Sequence, residues 1–301
     1  MMRQSLFIIV ILTGGLITVQ SLSQAPSPKI TAEILYGKDL IVRTAYYLGP
    51  NGKVAHLTNG MNCQNCHNDA GTKFYGLNLI ATAANYPQYM PRTGNVMSVA
   101  GRINGCLQRS LNGKPLDTTS REMKAMVAYI RWLGKNVPKG QKPAGSSVLK
   151  LAYMQRAASP LKGETVFMQK CQACHGANGQ GLVSADKIAY IYPPLWGPNS
   201  YNDGAGLYRI ITFAAFVKSN MPFGTTYKKP QLSDEEAWNV AAFVNSQPRP
   251  HFDQHQDWKD QRRKPVDFPF GPYADKFSEQ QHKFGPYKPI ADLQKSIIKK
   301  T

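Results

Sequence analysis

The chain has 301 residues, and its 36 Lys and Arg against 18 Asp and Glu give a formal net charge of +18. Such a positive field favours anionic partners: nucleic acid, acidic surfaces, acidic proteins or small anions. The sequence contains no recognisable nucleic-acid-binding motif, so nucleic acid is not the expected partner.

Residues 1–25 have the features of a secretory signal peptide. Arg3 precedes a 14-residue apolar run from Leu6 to Val19, and Ser23-Gln24-Ala25 offers small residues at a cleavage site. A membrane anchor is the weaker alternative, because a span needs roughly 20 apolar residues. We therefore expect an exported, periplasmic protein without stable membrane insertion.

Four of the five cysteines lie in two matching pentapeptides, Cys63-Gln64-Asn65-Cys66-His67 and Cys171-Gln172-Ala173-Cys174-His175. The Cys-x-x-Cys-His spacing is typical of c-type haem attachment. Two thiols one helical turn apart can form thioethers to the haem vinyl groups, and the adjacent histidine then reaches the iron. A redox disulfide or half of a zinc site is the alternative for a single copy. Two copies favour two covalent haems, attached through Cys63, Cys66, Cys171 and Cys174, with His67 and His175 as axial ligands.

The two motifs lie 108 residues apart, and the same order of features follows each. After the first come Cys106 and the capping-box pattern Thr119-Ser120-Arg121-Glu122, which opens an amphipathic stretch. After the second come Met221 and the pattern Ser233-Asp234-Glu235-Glu236. Cys106 precedes its box by 13 residues and Met221 precedes its own by 12. The two residues therefore occupy equivalent places in a repeated unit.

This repeated unit resembles the class I cytochrome c fold, in which a helix with the haem motif, a loop with the distal ligand and a C-terminal helix enclose the haem. The resemblance implies a mainly α protein with two such domains in tandem. The predicted organisation is a signal peptide (1–25), a first cytochrome c domain (26–138), a linker (139–159), a second cytochrome c domain (160–248) and an irregular C-terminal extension (249–301). Gly, Pro and Ser cluster in the first half of the linker, and its second half is a candidate for helix.

In the second domain Met221 is the predicted distal ligand of haem 2. It lies in "SNMPFG", and a thioether followed by Pro and Gly is the usual way in which this fold presents a sixth ligand. His/Met coordination raises the haem potential. The alternatives are that Met221 is a core residue or that Lys218 binds the iron. Pro193-Pro194-Leu195 resembles the segment that fixes the proximal histidine ring.

In the first domain the repeat places Cys106 where a distal ligand is expected, so we predict a thiolate opposite His67. Met97 or Met90 as ligand, with Cys106 a buried spectator, is one alternative. A free thiol that pairs between chains is another. A thiolate ligand would hold haem 1 at a lower potential than the Met-ligated haem 2.

The neighbourhood of Cys106 is positively charged, because the segment from Ala70 to Leu116 has five basic residues and no carboxylate. If residues 102–110 are helical, four residues share one face: Arg102, Cys106, Arg109 and Ser110. Guanidinium groups there would lower the thiol pKa and bind an oxyanion bidentately. These arginines could instead pair with haem propionates, an equally good interpretation for Arg109. Three arginines without counter-ions favour an anionic substrate.

The chain also resembles the dihaem c-type cytochrome thiosulfate dehydrogenases, which form tetrathionate. The matching stretches are both haem motifs, "MPRTGNVMSVAGRINGCLQRSLNGKPL", "SNMPFG" and "FPFGPYADKFSEQQHKFGPYKPI". The resemblance implies that two thiosulfates are coupled to tetrathionate, and that two electrons pass through the haems to a soluble or membrane-bound cytochrome c or similar acceptor. In some members the reverse reaction predominates.

The same resemblance implies that Arg92, Arg102 and Ser110 bind the substrate beside haem 1. Cys106 is then a candidate covalent catalyst as well as a ligand. Asn220 stands where some members carry a Lys that exchanges with the Met ligand, so a ligand switch at haem 2 is not expected.

The extension from Arg249 to Thr301 has 11 basic and 7 acidic residues, a composition that by default indicates disorder. Its eight aromatic residues favour an irregular strap packed on the body instead. A docking strip for an acceptor protein is the functional alternative.

Two other functions compete with the enzyme. A plain dihaem electron carrier would need methionine ligands in both domains and no substrate pocket. A Cys-ligated haem subunit of a sulfur-oxidation multienzyme system would keep sulfur bound to a cysteine and would require a separate cytochrome partner.

Overall fold

The structure is a computed structural model and describes residues 30–299. The predicted signal peptide, residues 1–25, lies outside the described residues. Within residues 30–299 no helix has both the length and the apolar character that a membrane span requires.

The first domain is built from six helices, a 3-10 turn at Cys63–Asn65 and one hairpin. The helices are α1 (Ala32–Val42), α2 (Thr44–Leu48), α3 (Asn68–Gly71), α4 (Thr82–Asn85), α5 (Val99–Arg109) and α6 (Arg121–Leu133). Strands β1 (Gln88–Met90) and β2 (Asn95–Met97) pair antiparallel between α4 and α5, with Tyr89 opposite Val96.

The second domain repeats this plan with four helices, a 3-10 turn at Gly206–Tyr208 and a second antiparallel hairpin. Its elements are α7 (Pro160–Lys170), α8 (Gln172–His175), β3 (Leu182–Val183), β4 (Tyr190–Tyr192), α9 (Ile210–Asn220) and α10 (Asp234–Ser246). The C-terminal extension adds a 3-10 turn at Gln261–Arg263, α11 (Glu279–Phe284) and α12 (Lys288–Lys299).

In both domains the first long helix crosses the last one at a glycine. A Cβ added to Gly37 of α1 would lie 2.0 Å from the carbonyl oxygen of Ala125 in α6, and one added to Gly163 of α7 would lie 1.9 Å from that of Asn239 in α10. Only glycine permits such close backbone contact. The shared crossing confirms that the chain contains two tandem copies of one mainly α unit.

The two C-terminal helices begin with different caps. Ser233 and Glu236 form the complete predicted capping box at α10. At α6 the predicted capping box is wrong, because the N-cap is Ser120 rather than Thr119. Glu122 is then the second residue of the helix, whereas a capping box requires a Glu at the third, from which the side chain accepts from the N-cap amide. Glu122 instead accepts a hydrogen bond from the Tyr36 hydroxyl at 2.8 Å and so ties α6 to α1.

The segment between the domains, residues 139–159, contains no helix. The prediction that its second half is a candidate for helix was therefore wrong. Ser159 caps α7 with its side chain, and Pro160 occupies the first turn, where its missing N–H costs nothing. Two hydrogen bonds hold the segment. The Ala158 amide donates to the Phe284 carbonyl at 2.8 Å, and the Trp238 indole donates to the Ala152 carbonyl at 3.2 Å.

The C-terminal extension lies against the body and buries Phe268, Tyr287 and Ile290. Tyr287 packs between Trp238 at 5.8 Å and Tyr153 at 5.9 Å, measured between ring centroids. Its first part is irregular, but the helices α11 and α12 were not predicted.

The two domains also contact each other directly. The Asn202 side chain donates to the Gln108 carbonyl at 2.8 Å and to Asn112 Oδ1 at 3.0 Å, and the Asn220 side chain donates to the Tyr75 carbonyl at 3.0 Å. One continuous apolar cluster includes buried side chains of both domains. The domains are therefore joined by specific contacts as well as by the linker.

Candidate functional site

The two motif histidines have the same second contact. Nδ1 of His67 lies 2.5 Å from the Leu77 carbonyl, and Nδ1 of His175 lies 2.8 Å from the Pro193 carbonyl. A ring that donates through Nδ1 leaves the Nε2 lone pair free for a metal, and the contact fixes the ring orientation. Burial also lowers the pKa of His175, which favours the neutral, ligating form.

A cavity of about 190 Å³ in the first domain brings together Cys63, His67, Arg102 and Cys106. Most of its remaining wall is apolar: Ile41, Leu77, Leu79, Val99, Ile103, Leu107 and Ile130. These residues fit a c-type haem, because an apolar pocket here carries a thiol for attachment, an imidazole with a free nitrogen and a second sulfur ligand.

The methionine alternatives for haem 1 are not supported by this cavity. Neither Met90 nor Met97 is among the described residues that line it. Both belong to the β1–β2 hairpin, where the Met90 sulfur accepts a hydrogen bond from the Tyr86 hydroxyl at 3.7 Å. Among these three sulfur-containing candidates, Cys106 is the one that lines the cavity with His67 in the described part of the chain.

Helix α5 presents Cys106 to the cavity from a face that adjoins its buried residues, which line the same cavity. Val99, Ile103 and Leu107 are buried at a spacing of four residues. Arg102 precedes Cys106 by one turn, remains exposed and donates through Nη1 to the Cys106 sulfur at 3.2 Å. The contact between Arg102 and Cys106 on the predicted helical face is therefore present.

The electrostatic setting of Cys106 favours the thiolate. Burial would raise the pKa of this thiol, but the positive charge of Arg102 and the hydrogen bond that Arg102 donates outweigh burial, and the pKa is lowered to about 6. The thiolate is the form of cysteine that ligates metals and attacks sulfur. Arg102 thus stabilises the form that both predicted roles of Cys106 require.

The recorded contacts of Arg92 and Arg109 are with the second domain and the C-terminal extension rather than with Cys106. Nη1 of each donates to the Gly204 carbonyl of the second domain, at 3.4 and 3.5 Å. Both face Asp257 of the C-terminal extension, which Arg109 contacts bidentately at 2.8 and 2.9 Å and Arg92 approaches through Nε at 4.0 Å. The segment from Ala70 to Leu116 has no carboxylate of its own. In the fold its Arg109 pairs with the carboxylate of Asp257, which lies 148 positions later in the sequence.

Arg209 of the second domain adds a further positive charge near Arg92 and Arg109. Burial and the neighbouring charges of Arg109 and Arg209 lower the pKa of Arg92 to about 10, which leaves it protonated at neutral pH. Arg209 itself lies 3.4 Å from the buried carboxylate of Asp267. Sequence reasoning missed Arg209 and Asp257, since no local pattern connects them with Cys106.

Ser110 lies one turn after Cys106 and ends α5. Its backbone amide donates to the Cys106 carbonyl at 2.8 Å. Ser110 is not among the described residues that line the cavity.

At the second site Met221 directly follows α9 and is half-buried against the core. The competing ligand Lys218 is engaged elsewhere, because its ammonium group donates to the Leu232 carbonyl at 2.6 Å and pairs with Asp234 at 2.7 Å. The structure therefore favours Met221 over Lys218 as ligand. Asn220, between them, uses its side chain to join α9 to the first domain.

Comparison with known families identifies both domains. Residues 53–138 match the family described as "SoxA/TsdA, cytochrome c domain", and residues 161–248 match the family described as "Cytochrome c". The protein accordingly carries two covalently bound c-type haems, one in each domain.

Similar proteins cover much of the chain. A thiosulfate dehydrogenase of Psychrobacter arcticus is 41% identical over 204 residues, 67% of this chain and 61% of that protein. One of Allochromatium vinosum is 39% identical over 220 residues, 71% of this chain and 80% of that protein. The solved structure of the thiosulfate dehydrogenase TsdBA from Marichromatium purpuratum, as isolated, aligns with a TM-score of 0.65 and 32% identity, over 72% of this chain and 46% of that one. The chain thus spans about three fifths of the first relative and under half of the solved one.

Proposed function

Because the chain belongs to the thiosulfate dehydrogenase family, with 39% identity over 80% of the Allochromatium vinosum enzyme, we propose that it oxidises two thiosulfates to tetrathionate and passes two electrons to an external acceptor. The observation that carries this proposal is the contact between Arg102 and Cys106, 3.2 Å long, in a cavity that also holds His67. The same residues serve the reverse reaction, the reduction of tetrathionate.

Substrate binding rests on Arg102, Arg92 and Ser110. A sulfonate group paired with Arg102 brings the outer sulfur of thiosulfate towards Cys106, since both side chains lie on one face of α5. A charge-assisted hydrogen bond of this kind contributes about 1.5–3 kcal/mol. The arginines also offset the repulsion between two dianions that must approach each other.

Cys106 acts as the sulfur nucleophile. Its thiolate and the outer sulfur of one thiosulfate form an S–S bond, giving Cys–S–S–SO₃⁻ and releasing two electrons. The outer sulfur of a second thiosulfate then attacks the sulfur bonded to Cys106, so that tetrathionate leaves and the thiolate is regenerated. The two haems, when bound, supply two one-electron acceptors, which match the two electrons released.

Electrons leave through the second domain, where Cys171, Cys174, His175 and Met221 hold haem 2. Phe223, two residues after Met221, is 91% exposed. Lys228 and Lys229, close by in the same loop, are also exposed. An apolar residue beside lysines suits an acidic acceptor, a cytochrome c or similar electron carrier. The signal-like sequence of residues 1–25 supports a periplasmic location for this exchange.

The variant Cys106→Gly tests the proposal. We expect it to lose the low-spin thiolate signal of haem 1 in electron paramagnetic resonance, to raise the potential of haem 1 and to lose nearly all thiosulfate oxidation. The potential rises because the anionic donor is gone, and activity falls because no sulfur remains to bond the substrate. Turnover at the parent rate would disprove the covalent role, and an unchanged thiolate signal would disprove the ligand assignment.

Met97→Leu is the matched control, since it removes a sulfur outside the cavity and should change neither signal nor turnover. Mass spectrometry of the parent must show two haem adducts. Turnover of thiosulfate by the isolated chain also separates this function from its rivals, because a plain electron carrier would not catalyse it and a sulfur-carrier subunit would need its cytochrome partner.

A further inference from the structure

One short part of the C-terminal extension holds two arginines of the first domain by three kinds of contact. The carboxylate of Asp257 pairs bidentately with Arg109. The amide of Trp258 donates to the Arg92 carbonyl at 2.7 Å, and its ring lies 5.5 Å from the Arg92 guanidinium. The Phe252 ring lies 4.2 Å from the Arg109 guanidinium. Residues 252–258 therefore pack directly against Arg92 and Arg109.

These charges are withdrawn from solvent to different degrees. The side chains of Asp257, Arg109 and Arg92 are 7%, 13% and 23% exposed. Charges in such a setting interact more strongly than in water. Arg109 has a complete ionic partner, whereas Arg92, at 4.0 Å from Asp257, has a distant one. Arg102 contacts Cys106 instead.

The Asp257 carboxylate reduces the positive charge that an anion meets beside Arg109. Arg92, Arg109 and Asp257 sum to two minus one, or plus one, and the charge of Arg102 faces the Cys106 thiolate. Thiosulfate and tetrathionate are both dianions. A site in which Arg92 and Arg109 were both uncompensated would therefore bind product as firmly as substrate, and such uniform binding does not raise kcat.

We infer that Asp257 is a positioning residue of the anion site, an internal counter-ion that neutralises Arg109 and so weakens dianion binding enough for tetrathionate to leave. The inference rests on the proposed function, and it assigns the C-terminal extension a part in the reaction. Asp257 acts through Arg109 and touches neither substrate nor haem. A purely structural anchor would have the opposite effect on affinity, since its loss would disorder the arginines.

The test is Asp257→Asn in the holoprotein, with sulfate as a redox-inert dianion and tetrathionate as the product. Isothermal titration calorimetry on the oxidised protein should show both anions binding roughly tenfold more tightly or better, since the freed Arg109 can add one charge-assisted hydrogen bond. Affinity should fall more steeply with salt, and in steady state KM and kcat for thiosulfate should both decrease.

Asp253→Asn is the matched control. It removes the same charge from the same segment, but Asp253 is 72% exposed and pairs with His255 instead of an arginine, so sulfate affinity should stay at the parent value. Weaker sulfate binding by Asp257→Asn, or affinity equal to that of Asp253→Asn, would overturn the inference.

The double variant Asp257→Asn, Arg109→Gln covers the case in which the single change prevents folding, because it removes both members of the buried pair. Its sulfate affinity should return to within about threefold of the parent, since its net charge is restored. Loss of sulfate binding in the double variant would show that Arg109 binds the anion itself, and would also overturn the inference. Failure of the parent to oxidise thiosulfate would instead refute the proposed function and leave the sulfate comparison interpretable.

Discussion

Replacing Arg102 by alanine tests the contact between this proposed substrate-binding residue and Cys106, the proposed ligand of haem 1. The change removes the guanidinium that donates to the Cys106 sulfur at 3.2 Å. Helix α5 should persist, because Ala has the highest helix propensity and Arg102 is exposed. The lost interaction is a charge-assisted hydrogen bond worth about 1.5–3 kcal/mol, and each 1.4 kcal/mol is a factor of ten. We therefore expect kcat/KM for thiosulfate to fall about 10- to 150-fold.

Two further variants separate charge from geometry. Arg102→Lys keeps the positive charge but lacks the planar guanidinium group that matches a sulfonate. Its kcat/KM for thiosulfate should therefore lie between those of the parent and of Arg102→Ala. Arg92→Ala should raise KM as well, but Arg92 contacts Gly204 and Asp257 rather than Cys106. Its haem 1 signal in electron paramagnetic resonance should therefore remain unchanged, whereas Arg102→Ala should shift that signal.

The measurements are steady-state oxidation of thiosulfate at fixed ionic strength and a redox titration of haem 1. Arg131→Ala, an exposed arginine of α6, controls for the loss of one positive charge at a remote place. Parent-like kcat/KM in Arg102→Ala, or a decrease no larger than that of Arg131→Ala, would refute the assignment of Arg102 to substrate binding.

Two other expectations follow from the fold. Met221→Leu should abolish the weak near-infrared band of ferric His/Met haem, keep the thiolate signal of haem 1 and slow electron delivery to an acceptor, with substrate binding little changed; persistence of that band would rule out Met221 as ligand. Gly163→Ala should destabilise the second domain by about 1–3 kcal/mol or more, because its Cβ would lie 1.9 Å from the Asn239 carbonyl oxygen and α7 would have to move away from α10. Thermal unfolding measures this loss. The control is Gly206→Ala, whose added Cβ would meet nothing within 4 Å, and an equal melting temperature for the two variants would contradict the close crossing.

Much of this protein could be predicted from the sequence because the signals are local. The Cys-x-x-Cys-His spacing identifies each haem site within five residues. The repeated order of features places Cys106 and Met221 at equivalent positions in two copies of one unit. The side chains of Arg102 and Cys106 share a helical face because they are four residues apart, and α5 in the structure brings them to 3.2 Å. Such regularities depend on helix geometry and covalent chemistry, which act over a few residues.

The tertiary structure decided what depends on distant partners. The sequence around Cys106 has no carboxylate, yet Asp257 and Gly204 meet Arg109 after folding. Lys218, a candidate ligand in the sequence, pairs with Asp234 after folding. The helices of the extension also escaped prediction. Each outcome requires segments far apart in sequence to pack together, and the burial that holds them there is a property of the whole fold rather than of any short stretch.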